Sequence, residues 1–211
     1  MKLFVIAFVL AMLLFSVTPI VSSSYALSSS GHTSFPVTLA PNPLLIRNRT
    51  LTSPNVQDEA WFGWSVSMSG GLVAVGSPDE TVEGYFEAGQ AYVFNATSGR
   101  LIETLTSPNV QDTGGFGYSV SMSGKLVAVG AYYETADGYT GAGHAYVFNS
   151  ATGKLITSLT SPKAQSEGYF GWSVSLTGKL VAVGAPLETA DGYAWAGHAY
   201  VFNSVTRYFT I

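Results

Sequence analysis

The chain has 211 residues, of which 47% are hydrophobic, 10% are charged and none is cysteine. So few charged residues cannot cover exposed helix faces, and so many apolar residues argue against a disordered protein. The formal net charge of -4 disfavours a nucleic-acid-binding protein, because such proteins need a basic surface. The lack of cysteine excludes a disulfide framework, thiol catalysis and cysteine-ligated zinc.

Residues 1–26 are predicted to be a secretory signal peptide. Lys2 precedes an uncharged apolar run over residues 3–15, and small residues at 24 and 26 predict cleavage after position 26. The run is shorter than the ~20 apolar residues of a membrane span, but a weaker continuation keeps an uncleaved anchor as an alternative. We therefore expect a secreted or cell-surface protein. Residues 27–43, rich in Ser, Pro and Thr, predict a flexible lead.

The rest of the chain is one unit repeated three times. The tetrapeptide Leu-Thr-Ser-Pro begins at Leu51, Leu105 and Leu159, a spacing of 54 residues (105 − 51 = 54). The second and third copies are identical at 35 of 53 aligned positions. A fixed period of this size indicates a solenoid, a propeller or another array. The predicted units are residues 51–104, 105–158 and 159–211, and the last has a degenerate outer strand.

Each unit is predicted to be an antiparallel meander of four short strands. Residues 64–68 alternate between apolar and polar, whereas residues 72–75 are apolar throughout. Two further apolar segments, residues 91–94 and 101–105, are joined by a turn that ends in Gly99. A lone sheet of this kind is too apolar to stay in solution, so its copies must stack. We predict an all-β fold, a propeller-type array of three four-stranded blades in an incomplete ring; a solenoid fits less well.

Two short motifs recur in the units, Phe-Gly before the first strand and Gly-Ala-Pro after the second. The repeated residues are Phe62, Gly63, Gly76, Phe116, Gly117, Gly130, Phe170, Gly171 and Gly184. Only the third copy, with Gly184-Ala185-Pro186, keeps every letter. The sequence resembles the FG-GAP repeat family, the blade type of integrin α-subunit propellers and of many secreted prokaryotic proteins. The resemblance implies extracellular binding or adhesion to a protein or glycan, with neither catalytic residues nor a cofactor.

Acidic residues collect in the loop after the second strand of each unit. Integrin members often carry a calcium loop of the form Asp-x-Asp-x-Asp-Gly-x-x-Asp, which this sequence lacks. Its nearest counterparts are Glu134 with Asp137 and Glu188 with Asp191, which supply only part of the six to eight oxygens that calcium takes. The favoured interpretation is a solvated acidic loop that prevents edge pairing. The loop acids are Asp79, Glu80, Glu83, Glu87, Glu134, Asp137, Glu188 and Asp191.

Aromatic residues divide into invariant ones, expected in the core, and variable ones, expected to bind a partner. The variable loop residues are Trp61, Tyr85, Phe86, Tyr139, Tyr193 and Trp195. His144 and His198 share a position with Gln90, which predicts hydrogen bonding rather than zinc binding. Asn48 and Asn95 begin glycosylation sequons.

The ends of the array raise the question of closure. Residues 44–50 resemble an outer strand without its blade, and the last unit has lost its turn glycine. One hypothesis is strand exchange between two chains into a closed six-blade dimer. The alternatives are a truncated propeller, a structural cell-surface component, or a quinoprotein-like enzyme suggested by the Ala-Thr-Gly-Lys turn at residues 151–154. The enzyme ranks last because the tryptophan expected beyond that turn is missing.

Overall fold

The computed structural model describes residues 48–204, and these form eleven β-strands without a helix. Within this part of the chain no helix is long and apolar enough to cross a membrane. The predicted signal peptide, the lead and residues 205–211 lie outside the described residues. Of the predicted orphan strand at 44–50, only residues 48–50 are described, and they form no strand.

The strands belong to three antiparallel sheets, one in each repeat. The first contains β1 (Ser65–Ser69), β2 (Leu72–Ser77), β3 (Gln90–Asn95) and β4 (Leu101–Thr106). The second contains β5 (Phe116–Ser123), β6 (Leu126–Ala131), β7 (His144–Asn149) and β8 (Leu155–Leu159). The third contains β9 (Ser173–Thr177), β10 (Leu180–Ala185) and β11 (His198–Asn203). The predicted fourth strand of the third sheet falls beyond residue 204. These sheets confirm the all-β, propeller-like class.

Each sheet is a meander with its strands in sequence order. In the first sheet Val66 pairs with Val75, Val75 pairs with Tyr92, and Tyr92 pairs with Thr104. The first turn of each sheet contains a glycine in the left-handed region, with φ of 57° at Gly70. The first and second strands of each sheet are joined by a short hairpin, whereas a longer loop joins the second strand to the third.

Consecutive sheets pack face to face through apolar side chains. One core joins the rear of the first sheet (Ala74, Ala91, Val93) to the front of the second, where Phe116 and Tyr146 are fully buried. An equivalent core lies between the second and third sheets. Its members are Ala128, Ala145, Val147, Leu159, Phe170, Leu176, Val181, Val183, Ala185 and Phe202. The invariant apolar residues therefore hold one repeat against the next, as the repeat pattern predicts.

Serine side chains add polar links between the sheets. The Ser67 and Ser69 hydroxyl oxygens on β1 accept hydrogen bonds from the Met122 and Gly124 N–H groups at 2.9 Å. The same pair of bonds recurs from β5 to the third sheet. The polar face of the first strand, which the sequence predicts by alternation, is thus the face that bonds the following sheet.

Candidate binding surface

A row of aromatic rings runs across the three sheets. Trp64, Tyr118 and Trp172 occupy the same position in each repeat, directly after the Phe-Gly dipeptide. The Trp64 and Tyr118 ring centroids are 5.4 Å apart, and those of Tyr118 and Trp172 are 4.8 Å apart. Equivalent residues of adjacent sheets are therefore in contact, and the repeat itself generates the row.

Four more rings widen the row. Trp61 stacks on Trp64 with centroids 5.0 Å apart, and Tyr169 stacks on Trp172 at 5.9 Å. Tyr132 lies 4.4 Å from Tyr118 and 5.1 Å from Trp172 by ring centroids. We call Trp61, Trp64, Tyr118, Tyr132, Tyr133, Tyr169 and Trp172 the aromatic row. Trp61 is 52% exposed, Trp64 48% and Trp172 39%, so the row presents apolar ring surface to solvent.

A depression beside the row combines rings with carboxylates. It has a volume of about 270 Å³ and is lined by Asp79, Glu87, Thr113, Gly115, Tyr132 and Tyr133. Burial raises the pKa of Asp79, and the neighbouring carboxylates of Glu87 and Glu59 raise it further. Burial, with smaller effects of Tyr118 and Asp79, raises the pKa of Tyr132 to about 12.

The loop after β2 holds this depression in place. It reaches the next repeat, where the Gly115 N–H donates to the Glu87 carbonyl at 3.1 Å and the Phe116 N–H to the Ala88 carbonyl at 2.9 Å. The Phe86 N–H in turn donates to Asp112 Oδ1 at 2.8 Å. The loop is therefore a strap between repeats, and the position of Glu87 is fixed by backbone bonds on both sides.

The arrangement suits a ligand with both apolar faces and hydroxyl donors. Exposed indole and phenol faces provide flat apolar contact, while the carboxylates of Asp79 and Glu87 accept hydrogen bonds. The Tyr132 phenol is protonated at neutral pH, as any tyrosine is, so its O–H is available as a donor. A concave site with a few polar groups among rings is typical of small-ligand binding.

The predicted partner-binding aromatics lie outside the row, with the exception of Trp61. Tyr85, Tyr139 and Tyr193 close the small turns of the acidic loops and are 43%, 46% and 74% exposed. Phe86 is 60% exposed and Trp195 75% exposed. Among the described residues no ring–ring contact joins these five side chains to one another or to the row. Their role in binding stays a prediction.

Sequence reasoning missed six members of the row. The alternation of residues 64–68 predicts that Trp64 belongs to the first strand, but β1 begins at Ser65. Tyr132 replaces a proline of the Gly-Ala-Pro motif, and Tyr133 follows it directly. The signal that could have found the row is the aromatic residue that follows Phe-Gly in all three copies.

The acidic loops contain a buried carboxylate in each repeat. Glu134 is 1% exposed, and its Oε2 accepts a hydrogen bond from the Tyr146 O–H at 2.5 Å while the Ser107 hydroxyl donates to Oε1. His144 Nδ1 lies 2.9 Å from the same Oε2, but its direction is not that of a hydrogen bond. Burial, aided by the Glu134 charge, raises the pKa of Tyr146 well above its usual range.

The other two repeats contain the same pair. The Tyr92 O–H donates to Glu80 Oε2 at 2.6 Å, and the Tyr200 O–H to Glu188 Oε2 at 2.5 Å. Burial and the hydrogen bond to Glu188 raise the pKa of Tyr200 to about 12. The interpretation of all eight loop acids as solvated is therefore wrong for Glu80, Glu134 and Glu188. The physical reason is that the tyrosine of the third strand offers each carboxylate an O–H donor in the interior.

The aspartates of the predicted calcium pairs have a different environment. Asp137 and Asp191 have φ of 52° and 51°, and the glycine after each also has positive φ. Two successive residues with positive φ are typical of a type I′ turn, in which Asp-Gly is favoured. Each predicted pair thus consists of one buried glutamate and one exposed turn aspartate. No group of three or more His, Asp or Glu among residues 48–204 is arranged to hold a metal ion, and calcium binding stays a prediction.

The two sequon asparagines are also placed. Asn48 is exposed. Asn95 lies in the turn after β3, where its Oδ1 accepts hydrogen bonds from the Thr97 and Ser98 N–H groups at 3.1 and 2.8 Å. Modification of either residue stays a prediction.

Comparison with known protein families agrees with the repeat. The model of the FG-GAP repeat matches residues 47–94, 100–148 and 155–202. The chain belongs to the FG-GAP repeat family. No curated protein matches it. Among solved structures, the crystal structure of the computationally designed Ika4 protein is similar to 77% of this chain and 77% of its own, with 17% identity and a TM-score of 0.47.

The glycines that name the FG-GAP motif meet across the sheet interface. A Cβ on Gly76 would lie 1.9 Å from the Gly117 carbonyl oxygen, and a Cβ on Gly130 would lie 1.9 Å from the Gly171 carbonyl oxygen. The Ser65 hydroxyl donates to that Gly117 oxygen at 2.8 Å. Since a Cβ cannot approach an oxygen so closely, the motif preserves the approach of one FG-GAP repeat to the next.

Proposed function

We propose that this protein is an exported, non-catalytic recognition protein that binds a neutral or amine-bearing glycan at the aromatic row and its depression. The carrying observation is the contact of Trp64, Tyr118 and Trp172, which joins equivalent residues of three repeats into one partly exposed surface. Family members act widely in extracellular recognition, and the resemblance to integrin propellers supports the same class here.

The residues that line the depression restrict the class of ligand that it can bind. A sugar offers C–H faces for the rings of Tyr132 and Tyr133 and hydroxyl donors for Asp79 and Glu87. Burial, with the charges of Glu87 and Glu59, raises the pKa of Asp79, so the depression disfavours any further negative charge. An acidic glycan is therefore disfavoured.

The experiment is a glycan array probed with the full chain, followed by titration of the best neutral glycan. Tyr132→Ala and Trp172→Ala each remove one ring of the row, and we expect about tenfold weaker binding, the loss of about 1.4 kcal/mol typical of a modest binding anchor. Ile156→Ala is the control, because this apolar side chain is exposed and lies outside the row and the depression. Its affinity should be unchanged.

The proposal is overturned if no neutral glycan binds, or if Ile156→Ala weakens binding as much as the two row variants. Capture of a protein ligand by the same rings would replace the glycan with a protein partner. Circular dichroism of each variant establishes that the β-fold is retained.

Export is part of the proposal, and its support is the charge and apolar pattern of residues 1–26. We expect the secreted chain to begin after Ala26. Mass spectrometry of the exported protein measures this directly, and a chain retained in the cytoplasm would contradict it.

A further inference from the structure

On the front face of the first sheet, β1 exposes apolar residues whose equivalents are buried elsewhere in the chain, whereas Val75, Tyr92 and Phe94 on the same face are buried. Val66 and Met68 on β1 are both 66% exposed. Their equivalents on β5, Val120 and Met122, are 9% and 6% exposed because the first sheet covers them. The β1 strand thus carries apolar interface residues that no sheet among residues 48–204 covers.

The rear face of the third sheet is the other half of the same interface. Val201 on β11 is 56% exposed, whereas its equivalents Val93 and Val147 are fully buried by the following sheet. A depression of about 170 Å³ lies on this face, where Ala182, Gly184 and Ala199 leave room. In the first and second sheets, the equivalent position is occupied by residues of the following repeat.

The polar links of the interface are also incomplete at this end. Ser67 and Ser121 each accept a hydrogen bond at 2.9 Å from a backbone N–H of the next sheet. The equivalent residue in the third sheet is Ser175, which is exposed. Ser119 donates to the Gly171 carbonyl at 2.8 Å, and its exposed third-sheet equivalent is Ser173. Ser173 and Ser175 are thus equivalent in position to serines that form hydrogen bonds with the next sheet in the first two repeats.

The strap loop completes the correspondence. In the first two repeats the strap carbonyls of Ala88 and Ala142 accept from the Phe116 and Phe170 N–H groups at 2.9 Å. The third strap ends at Ala196, next to the 75% exposed Trp195. On the first repeat the matching receptor is a depression of about 260 Å³ beside Leu51, Val56, Trp61 and Phe62. The chain therefore has both a third strap and, on its first repeat, a depression at the position where the other two straps bind.

We infer that a second copy of this chain docks head to tail, with the rear of its third sheet on the front of the first sheet. The reason for choosing a copy is that the chain already builds this interface twice with the same residues. Two copies joined at both ends give six sheets, within the four to eight of closed propellers. The contact requires no exchange of strands, because the residues that carry it lie in the sheets, the straps and the segment before β1.

The first experiment measures the mass of the full chain by sedimentation velocity over a wide concentration range. We expect twice the mass of a single chain. The decisive variant is Gly184→Ala. Within its own chain a Cβ at Gly184 meets only the Ser173 side chain, which can rotate, whereas the equivalent glycines approach a carbonyl oxygen of the next sheet.

Gly184→Ala should therefore fold and lose the dimer, with its mass falling twofold. Lys154→Ala, an exposed change in the hairpin between β7 and β8, is the control and should keep the mass of the dimer. Circular dichroism distinguishes loss of association from loss of folding.

A second experiment uses the lack of cysteine in the chain. Met68→Cys with Ser175→Cys places thiols at the two sides of the proposed contact, and oxidation should give a covalent dimer on a non-reducing gel. The internal counterpart, Ser67→Cys with Met122→Cys, should form its disulfide within one chain, since Ser67 Oγ and the Met122 N–H are already bonded.

A monomer at all concentrations overturns the inference, and protection of Val66 and Val201 in that monomer would assign the cover to another part of the chain. A dimer that survives Gly184→Ala, or a mass that grows without limit, also overturns the closed pair. A dimer lost in Gly184→Ala and trapped by the cysteine pair supports it.

Discussion

Gly76 of the first sheet lies against the carbonyl oxygen of Gly117 in the second, so closely that a Cβ on Gly76 would be 1.9 Å from it. Gly76 is the first residue of the Gly-Ala-Pro position in the first repeat, and Gly117 is the glycine of the Phe-Gly dipeptide in the second repeat. The glycines of the FG-GAP pattern are therefore explained by a contact between repeats. This contact determines how closely two neighbouring sheets can approach.

Because Gly130 and Gly171 make the same contact, we expect one added methyl group at Gly130 to lower the stability of the fold substantially. Gly130→Ala should lower the free energy of unfolding by about 3 kcal/mol, because the backbone on both sides must shift. Gly184→Ala, at a concentration where the chain is single, should change it by less than about 0.5 kcal/mol. Urea unfolding followed by tryptophan fluorescence measures both, and equal losses would contradict the explanation.

The buried carboxylate of Glu134 predicts a second cost. Tyr146→Phe removes the O–H that donates to Oε2, so a buried acceptor loses a partner and stability should fall by about 1–3 kcal/mol. Tyr139→Phe removes an exposed hydroxyl and should leave the melting temperature unchanged. A Tyr146→Phe chain as stable as the parent would show that the hydroxyl is dispensable.

The serine links predict a difference between repeats. Ser121→Ala deprives the Leu176 N–H of its acceptor and should cost about 1 kcal/mol. Ser175→Ala, the equivalent change in the third sheet, should cost nothing in the single chain, because Ser175 is exposed and no sheet among the described residues packs on it. Chemical denaturation of the two variants side by side decides the point.

The raised tyrosine pKa values predict instability in alkali. The phenol of an unfolded tyrosine loses its proton near pH 10, whereas Tyr132 and Tyr200 keep theirs to about pH 12. Between these values the folded chain binds more protons than the unfolded chain, so stability falls as pH rises from 10 to about 12. Their contribution is fully present below pH 10.

Tyr132→Phe is the clean variant for this effect. The Tyr132 hydroxyl has no hydrogen bond within the described residues, so its removal should leave stability at neutral pH nearly unchanged and reduce the loss above pH 10. Urea midpoints at several alkaline pH values measure both slopes, and parallel slopes in parent and variant would count against the assignment.

The local features were predictable because they depend on neighbours along the chain. Alternation at Ser65–Ser69, the apolar run at Leu72–Ser77 and the turn glycines are short-range signals, and the strands formed where these signals lie. The period of 54 residues likewise predicted stacking of like sheets.

The burial of Glu134 and the aromatic row were not predictable in this way. An acidic loop residue reads as solvated until a tyrosine twelve positions later, Tyr146, is known to place its O–H beside it. In the sequence, Tyr132 is only a replacement for the proline of the motif. In the structure, its ring centroid lies 5.1 Å from that of Trp172 in the next repeat. Both depend on side chains that meet across strands or sheets.

The amino-acid sequence by itself determined the strands, their order within each repeat and the family to which the chain belongs, because hydrophobic alternation and turn glycines act over a few residues. Only the tertiary structure decided which carboxylates are buried, which rings join into one surface and which sheet faces remain uncovered. These features arise where residues from 12 to about 54 positions apart come into contact across strands and sheets, and the free energy of such contacts depends on distance and burial that no local pattern contains.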